Sequence, residues 1–347
     1  MPKNLAVFFD GTWNEPNDRT NVHALYRAAT DNDHQDTRYI EGVGTKGQGL
    51  WSAIDRLAGG AFGAGLSANI REGYQWLCQR YAPGDRLFLF GFSRGAYSAR
   101  SLAGMIRNCG LLREPDRDGV AEAYALYRDD DGPDAPGALR FRQARSHETD
   151  IHFLGVWDTV GRLGIPVDGI SVPGFSSFYR FHDAELSNHV VHAYQALATN
   201  EFRKPYAPTY WTRKPASTPR PADRPVEQRW FVGAHSDVGG GYEDGALATL
   251  PGRWLQWKAM QAGMQFDPTA TIAMDYDRCV PHDSWGEFNA IARFFVEREA
   301  RHWDGTALGL QCDPRLRQRL QDSDLLQNEP QLRKRILELP DGDTVPA

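Results

Sequence analysis

Short, almost uniformly apolar runs alternate along this chain with longer stretches whose apolar positions recur every three or four residues. That alternation predicts strands joined by helical crossovers, hence a mainly parallel sheet covered on both faces. Strands are predicted at Leu5–Phe9, Thr37–Ile40, Arg86–Gly91, Ile151–Val156 and Arg229–Val232. Helices are predicted at Leu66–Tyr81, Gly95–Cys109, Val120–Arg128, Leu186–Thr199 and Leu255–Gly263. Asp129–Gly137, acidic and turn-rich, and Lys214–Pro225, with four prolines, read as loops. Neither marks a domain boundary, because the strands on both sides belong to one sheet. The expectation is a single α/β domain over residues 1–340, with loop insertions and a flexible tail at 341–347.

Composition narrows the classes. The chain has 347 residues, 41% of them hydrophobic, which is ample for a large core. A net charge of −6 without a basic stripe argues against nucleic acid as a partner. The most basic stretch, Arg315 to Arg335, is interspersed with acids and reads as a solvated helical face. Cys78, Cys109, Cys279 and Cys312 lie far apart with no CxxC pair, as expected of buried thiols in a reducing compartment. Leu5–Phe9 is too short for a signal peptide, and Leu50–Leu66 is broken by Asp55, Arg56 and glycines, so no stable membrane insertion is expected. A cytoplasmic protein is the default, with export by a signal-less secretion system left open. The glycines from Gly42 to Gly65 lack a GK[ST] sequence, and Gly60–Gly65 does not directly follow a strand; they read as close packing or a mobile active-site flank, and no cofactor is implied.

The chemistry concentrates at Gly91-Phe92-Ser93-Arg94-Gly95, where an apolar strand enters a tight turn and a helix leaves at once. This is the arrangement of a nucleophile elbow, with Ser93 held out at the carboxyl end of the strand. A serine needs a base, and the base an acid that fixes its tautomer. In a strand–helix architecture the expected chain order is Ser, acid, His. Asp158 ends the strand Ile151–Val156 in a turn, and His235 leaves the strand Arg229–Val232 into a glycine-rich loop. Asp237 is the rival acid and otherwise a brace for that loop. Of the other histidines, His23, His34, His147, His282 and His302 read as solvent-facing, and His152 as satisfying a core hydrogen bond. His182 falls in the loop after Asp158, and His189 and His192 read as packing at helical spacing. The oxyanion donors are assigned to the N–H of Arg94 and of Gly11 or Thr12, the latter in the loop after the first strand. Asp10 either supports that loop in an Asx-type turn or ligates a metal, but no HExxH or carboxylate cluster accompanies it and no metal is assigned.

At these residues the chain resembles the DUF2235, or Tle1-like, catalytic domain of type VI secretion phospholipase effectors, in the α/β-hydrolase superfamily. The likeness rests on Phe9-Asp10-Gly11-Thr12-Trp13-Asn14 with Thr20-Asn21-Val22, then Gly42-Val43-Gly44-Thr45 and Gly91-Phe92-Ser93-Arg94-Gly95-Ala96. It continues through Val156-Trp157-Asp158-Thr159-Val160-Gly161, Ala193 to Trp211, and His235-Ser236-Asp237-Val238-Gly239-Gly240-Gly241-Tyr242, spanning about residues 3 to 265. It implies an α/β-hydrolase fold, a Ser93–Asp158–His235 triad and cleavage of carboxylic esters in the manner of esterases, lipases or phospholipases. The alternatives left open are hydrolysis of amides or thioesters, and a non-catalytic binding or regulatory protein on the same fold. No counterpart of the effectors' large membrane-docking region is expected here, so their substrate is not simply carried over; a small-molecule or lipid ester is the expected substrate class, and an immunity or secretion partner stays open. The apolar loop Leu163–Phe175 is the candidate cover of an acyl pocket.

Overall fold

The computed structural model describes residues 2–11, 14, 18–43, 60–129, 131–160, 185–213, 218–268, 276, 279–287 and 296–346. Apolar runs made of β-branched and aromatic residues form β1 (Asn4–Phe9), β3 (Arg86–Phe92) and β6 (Ile151–Trp157). Together with β2 (Gln35–Ile40), β7 (Val190–Ala198), β8 (Val226–Phe231) and β9 (Leu310–Cys312) they build a sheet in the order β2-β1-β3-β6-β7-β8-β9. Every pairing between these strands is parallel. A small antiparallel pair, β4 (Leu111–Leu112) and β5 (Ser146–His147), lies apart from it.

The central strands are buried on both faces, as a parallel sheet between helices requires. Ala6, Phe8, Phe88, Phe90 and Phe92 pack into one core, and Leu5, Val7, Phe9, Leu87 and Leu89 into the other. The covering helices include α1 (Asn21–Ala28), α2 (Gly60–Arg80), α3 (Arg94–Cys109), α4 (Arg117–Arg128), α5 (Pro136–Arg145), a short α6 (His235–Gly239) and α7 (Ala246–Gln261). Thr20 caps α1 by accepting from the His23 N–H at 3.1 Å, and Asp116 caps α4 through Gly119 N–H. Register aligns the carboxyl ends: Phe9 stands opposite Gly91, Phe92 opposite Trp157, Trp157 opposite Ala196, and Ala198 opposite Phe231. The chain runs from β1 outward to β2 and then returns to place β3 on the other side of β1. Such a reversal opens a crevice at the carboxyl edge, where ligands of open parallel sheets bind.

Three expectations are corrected. Leu186–Thr199 is not a helix; it delivers β7, whose residues are buried on both faces and therefore show no two-residue alternation. His192 accordingly lies on a strand. Residues 341–346 are docked, not free: Asp341 bridges to Cys312, Val345 is buried, and the Asp343 carbonyl accepts from the Arg229 guanidinium at 2.7 Å. The basic stretch Arg315–Arg335 is helical over α8 (Pro314–Asp322) and α9 (Pro330–Leu337), yet much of it holds the chain together instead of facing water. Arg317 pairs with Asp341, and Arg333 and Arg335 donate to the carbonyls of Leu320 and Trp303.

Candidate active site

Ser93 closes β3 and precedes the first residue of α3. Its φ of 57° and ψ of −116° lie in a region that costs a residue with a side chain about 1–3 kcal/mol. The turn is possible because Gly91 and Gly95 have no Cβ. At Gly95 one would stand 2.2 Å from the Phe9 carbonyl oxygen, and at Gly91 one would stand 2.4 Å from the Gly95 carbonyl oxygen. The start of α3 is thereby pressed against the ends of β1 and β3, with Ser93 anchored by its own N–H to the Trp157 carbonyl at 3.0 Å. The Arg94 amide opens the helix beside the serine oxygen, where the helix dipole favours negative charge.

Asp158 follows β6, also at positive φ (41°) and fully buried. Its Oδ2 receives His235 Nδ1 at 2.6 Å, which assigns the proton on that nitrogen and leaves Nε2 as the basic atom. His235 begins α6 and is 4% exposed. The ring is fixed from two sides: its centroid lies 4.6 Å from that of Phe92, the neighbour of Ser93, and 5.0 Å from that of Tyr206. Among the described residues the Ser93 hydroxyl and His235 Nε2 form no hydrogen bond with each other. The structure thus brings Ser93, Asp158 and His235 to one edge of the sheet, behind β3, β6 and β8.

Asp237 is occupied elsewhere. Its Oδ2 accepts from the N–H groups of Ala234 and His282, both at 2.9 Å, and its Oδ1 faces His282 Nδ1 at 2.7 Å. It braces the loop that carries His235. His282 therefore differs from expectation: it is largely enclosed, stacked on Tyr242 with centroids 3.6 Å apart. His152 satisfies a core bond to the Ala262 carbonyl at 2.9 Å, as its position on the strand suggested.

Asp10 ends β1 and accepts from the Gly11 N–H (2.7 Å), the Thr20 hydroxyl (2.7 Å) and the Tyr39 hydroxyl (2.6 Å). It ties the start of the loop after β1 to the cap of α1 and to β2. Burial pushes its carboxyl up to about 6, since the three donors around it are neutral. The Gly11 N–H is directed at Asp10, while Thr12 and the loop Leu163–Phe175 lie outside the described residues, as does His182. Among the described residues no three His, Cys, Asp or Glu side chains are grouped as a metal site, and no helix is long and apolar enough to cross a membrane.

The structure adds residues that the sequence did not single out. Arg301 grips Asp158 with both arms of its guanidinium, Nη1 to Oδ1 at 2.5 Å and Nη2 to Oδ2 at 2.7 Å. Glu201, 1% exposed, accepts from the His235 N–H at 3.2 Å, the Ser284 hydroxyl at 3.0 Å and the Arg203 guanidinium. Arg203 lies over the Tyr206 ring at 3.8 Å. Burial would raise Asp158, but the charge and hydrogen bonds of Arg301 overturn this and hold it far below the usual carboxylate range. Burial lowers His235 against the pull of Asp158, so its imidazole rests neutral. A buried neutral imidazole aimed by an ionised carboxylate is the proper starting state for a general base.

Comparison with known proteins places this architecture. Over 236 residues the chain is 30% identical to the uncharacterized protein YEL023C of Saccharomyces cerevisiae, an alignment covering 61% of this chain and 33% of the yeast protein. A crystal structure of an uncharacterized protein from Pseudomonas aeruginosa aligns with a TM-score of 0.44 at 18% identity, covering 79% of this chain and 48% of that one. This chain thus corresponds to about a third of the yeast relative's length and about half of the Pseudomonas chain. The model of the type VI secretion phospholipase effector Tle1-like catalytic domain matches residues 3–258, which contain Ser93, Asp158 and His235 in order, and the chain belongs to that family.

Proposed function

We propose that this protein is a serine hydrolase of carboxylic esters, of the lipase or phospholipase kind, on an α/β-hydrolase-like sheet. Its family supports a hydrolase of that type. The observation that carries the reading is the Asp158–His235 pair, 2.6 Å apart and buried, with the imidazole packed on Phe92, the residue next to a serine on a strained elbow. Ser93 Oγ attacks the ester carbonyl while His235 Nε2 takes its proton. Asp158 keeps the imidazole in the required tautomer and stabilises the imidazolium as it forms. The oxyanion is received by the Arg94 N–H and by the loop after β1, where the engagement of the Gly11 N–H by Asp10 leaves Thr12 as the better second donor. His235 then protonates the departing alcohol, and water resolves the acyl-enzyme by the same route.

Two measurements test this. A fluorophosphonate probe should label wild-type protein at Ser93 and should not label Ser93→Ala. Hydrolysis of short-chain aryl esters and of phospholipid vesicles should fall about 10³-fold or more in Ser93→Ala without loss of fold. Labelling at Ser98 or Ser101 would reassign the nucleophile. A wild-type protein that neither labels nor turns over any ester would leave a binding role on the same fold.

A further inference from the structure

The segment beyond the family match reaches into the site at three points. Ser284 donates to Glu201, His282 faces Asp237, and Arg301 forks onto Asp158. Each of the three acids lies beside His235, and the Arg301 contact is the most demanding of the three geometrically. Building on the triad reading above, we propose that Arg301 is a positioning residue of the acyl-transfer site, locking Asp158 as a fixed, fully paired anion so that His235 keeps one orientation and is the group that exchanges the proton.

The hydrogen-bond inventory supports the lock. Asp158 Oδ1 accepts from the Ala198 N–H at 3.1 Å and from Arg301; Oδ2 accepts from His235 and from Arg301. Arg301 is itself held by the Tyr206 carbonyl at 3.0 Å, on the segment whose ring packs against His235. A planar fork on a carboxylate fixes rotation about its bond to Cβ, which a single donor does not. The imidazole is thereby aimed from two bonds away.

Charge balance gives the lock a measurable consequence. The ionisable groups facing His235 are Asp158 at the end of β6, Glu201, Arg203 and Tyr206 after β7, Arg301, and Asp237 with its partner His282 on the α6 side. Asp158 is matched by Arg301 and Glu201 by Arg203, so the imidazole sees two neutralised carboxylates. Removing Arg301 leaves one uncompensated anion against the ring, which favours the imidazolium. A residue that merely fastened the 296–301 segment to the sheet would not change the proton affinity of His235 in a set direction.

The experiment titrates the whole 347-residue chain by NMR with ¹³C-labelled histidine, His235 being assigned by loss of its signal in His235→Gln, alongside pH–rate profiles on a soluble ester. In Arg301→Gln the His235 midpoint is expected to rise by about one pH unit or more, with the acidic limb of kcat moving in step. At the pH optimum kcat is expected to drop about tenfold or more with KM little changed, as for an interaction made in the transition state. Arg301→Lys keeps the charge and loses the fork, so its midpoint should stay near wild type while kcat still falls. A folded Arg301→Gln with an unmoved His235 midpoint overturns the proposal. If Arg301→Gln does not fold, Arg301→Lys decides, and wild-type kcat in that variant overturns it. If the wild-type chain hydrolyses no ester, the triad reading fails separately, and the NMR midpoint alone decides whether Arg301 governs the His235 proton.

Discussion

Asp10 and Asp158 are near-copies in position and opposites in state. Each follows a buried parallel strand, each is almost wholly inaccessible at 2% and 0% exposure, and each accepts several hydrogen bonds. Asp158 is held ionised far below the ordinary carboxylate range, whereas Asp10 is pushed up to about 6. The difference lies in what donates. Asp10 meets an amide and two hydroxyls, and neutral donors do not fully replace the hydration a buried anion loses. Asp158 meets a guanidinium, whose charge-assisted bonds do. The two sides of the elbow are built by different means: backbone geometry and neutral hydrogen bonds around Ser93, and paired charges around His235.

The comparison makes its largest prediction for activity. If the proposed triad operates, Asp158→Asn should lower kcat about 10³-fold or more by spoiling the His235 tautomer. Asp10→Asn, which keeps an acceptor for the Gly11 N–H, should cost less than about tenfold, because in the proposed mechanism Asp10 shapes the loop and takes no part in proton transfer. Ester kinetics on both variants, with fold checked by near-UV circular dichroism, would collapse the distinction if the two losses were equal.

What was legible in the sequence follows the same division. The elbow side is local: Gly91 to Gly95 are contiguous, and an apolar run before them with a helical pattern after them announces the turn. Asp158 and His235 were readable because each ends its own apolar strand. The charge pairs were not. Arg301 stands 143 residues from Asp158, within a stretch of alternating acids and bases that reads as exposed, and Glu201 lies in the Ala193–Trp211 stretch, whose family likeness says nothing of which charges pair. No local pattern marks a guanidinium for burial, since its partner is chosen by tertiary contact. Strand β7 failed for a related reason. Leu186, Val190, Ala193 and Leu197 fall at helix-like intervals, and burial of both faces of a central parallel strand removes the alternation that would have argued otherwise.

A smaller effect is expected where pairing can be broken without touching the proposed triad. Glu201→Gln leaves an acceptor for the His235 N–H but strips Arg203 of its counter-charge. If charge pairing is what makes the histidine side rigid, this variant should lose about 3 kcal/mol of stability, as when one partner of a buried pair is removed. Chemical denaturation would read that loss directly. A change below about 0.5 kcal/mol would show that hydrogen-bond count, not charge, governs this side.

The smallest effect falls on the elbow side and concerns pH. An exposed aspartate in the unfolded chain titrates near 3.9, roughly its ordinary value, whereas Asp10 in the folded chain titrates at about 6. Between these values the folded state binds the proton more tightly. The contribution of Asp10 to stability is therefore fully present below about 4 and is lost as pH rises to about 6, after which it is flat. The expected loss across that window is about 2–3 kcal/mol, an upper figure because the loop can relax. Asp158 gives the opposite sign: its folded value is depressed, so its contribution is present above about 4 and vanishes only in strong acid. Denaturant titrations of wild type and Asp10→Asn from pH 4 to pH 7 separate the two, since the asparagine does not titrate. The variant's stability relative to wild type should rise steadily from pH 4 to pH 6. A constant difference would mean that Asp10 is ionised throughout, and that three neutral donors suffice where Asp158 has a guanidinium.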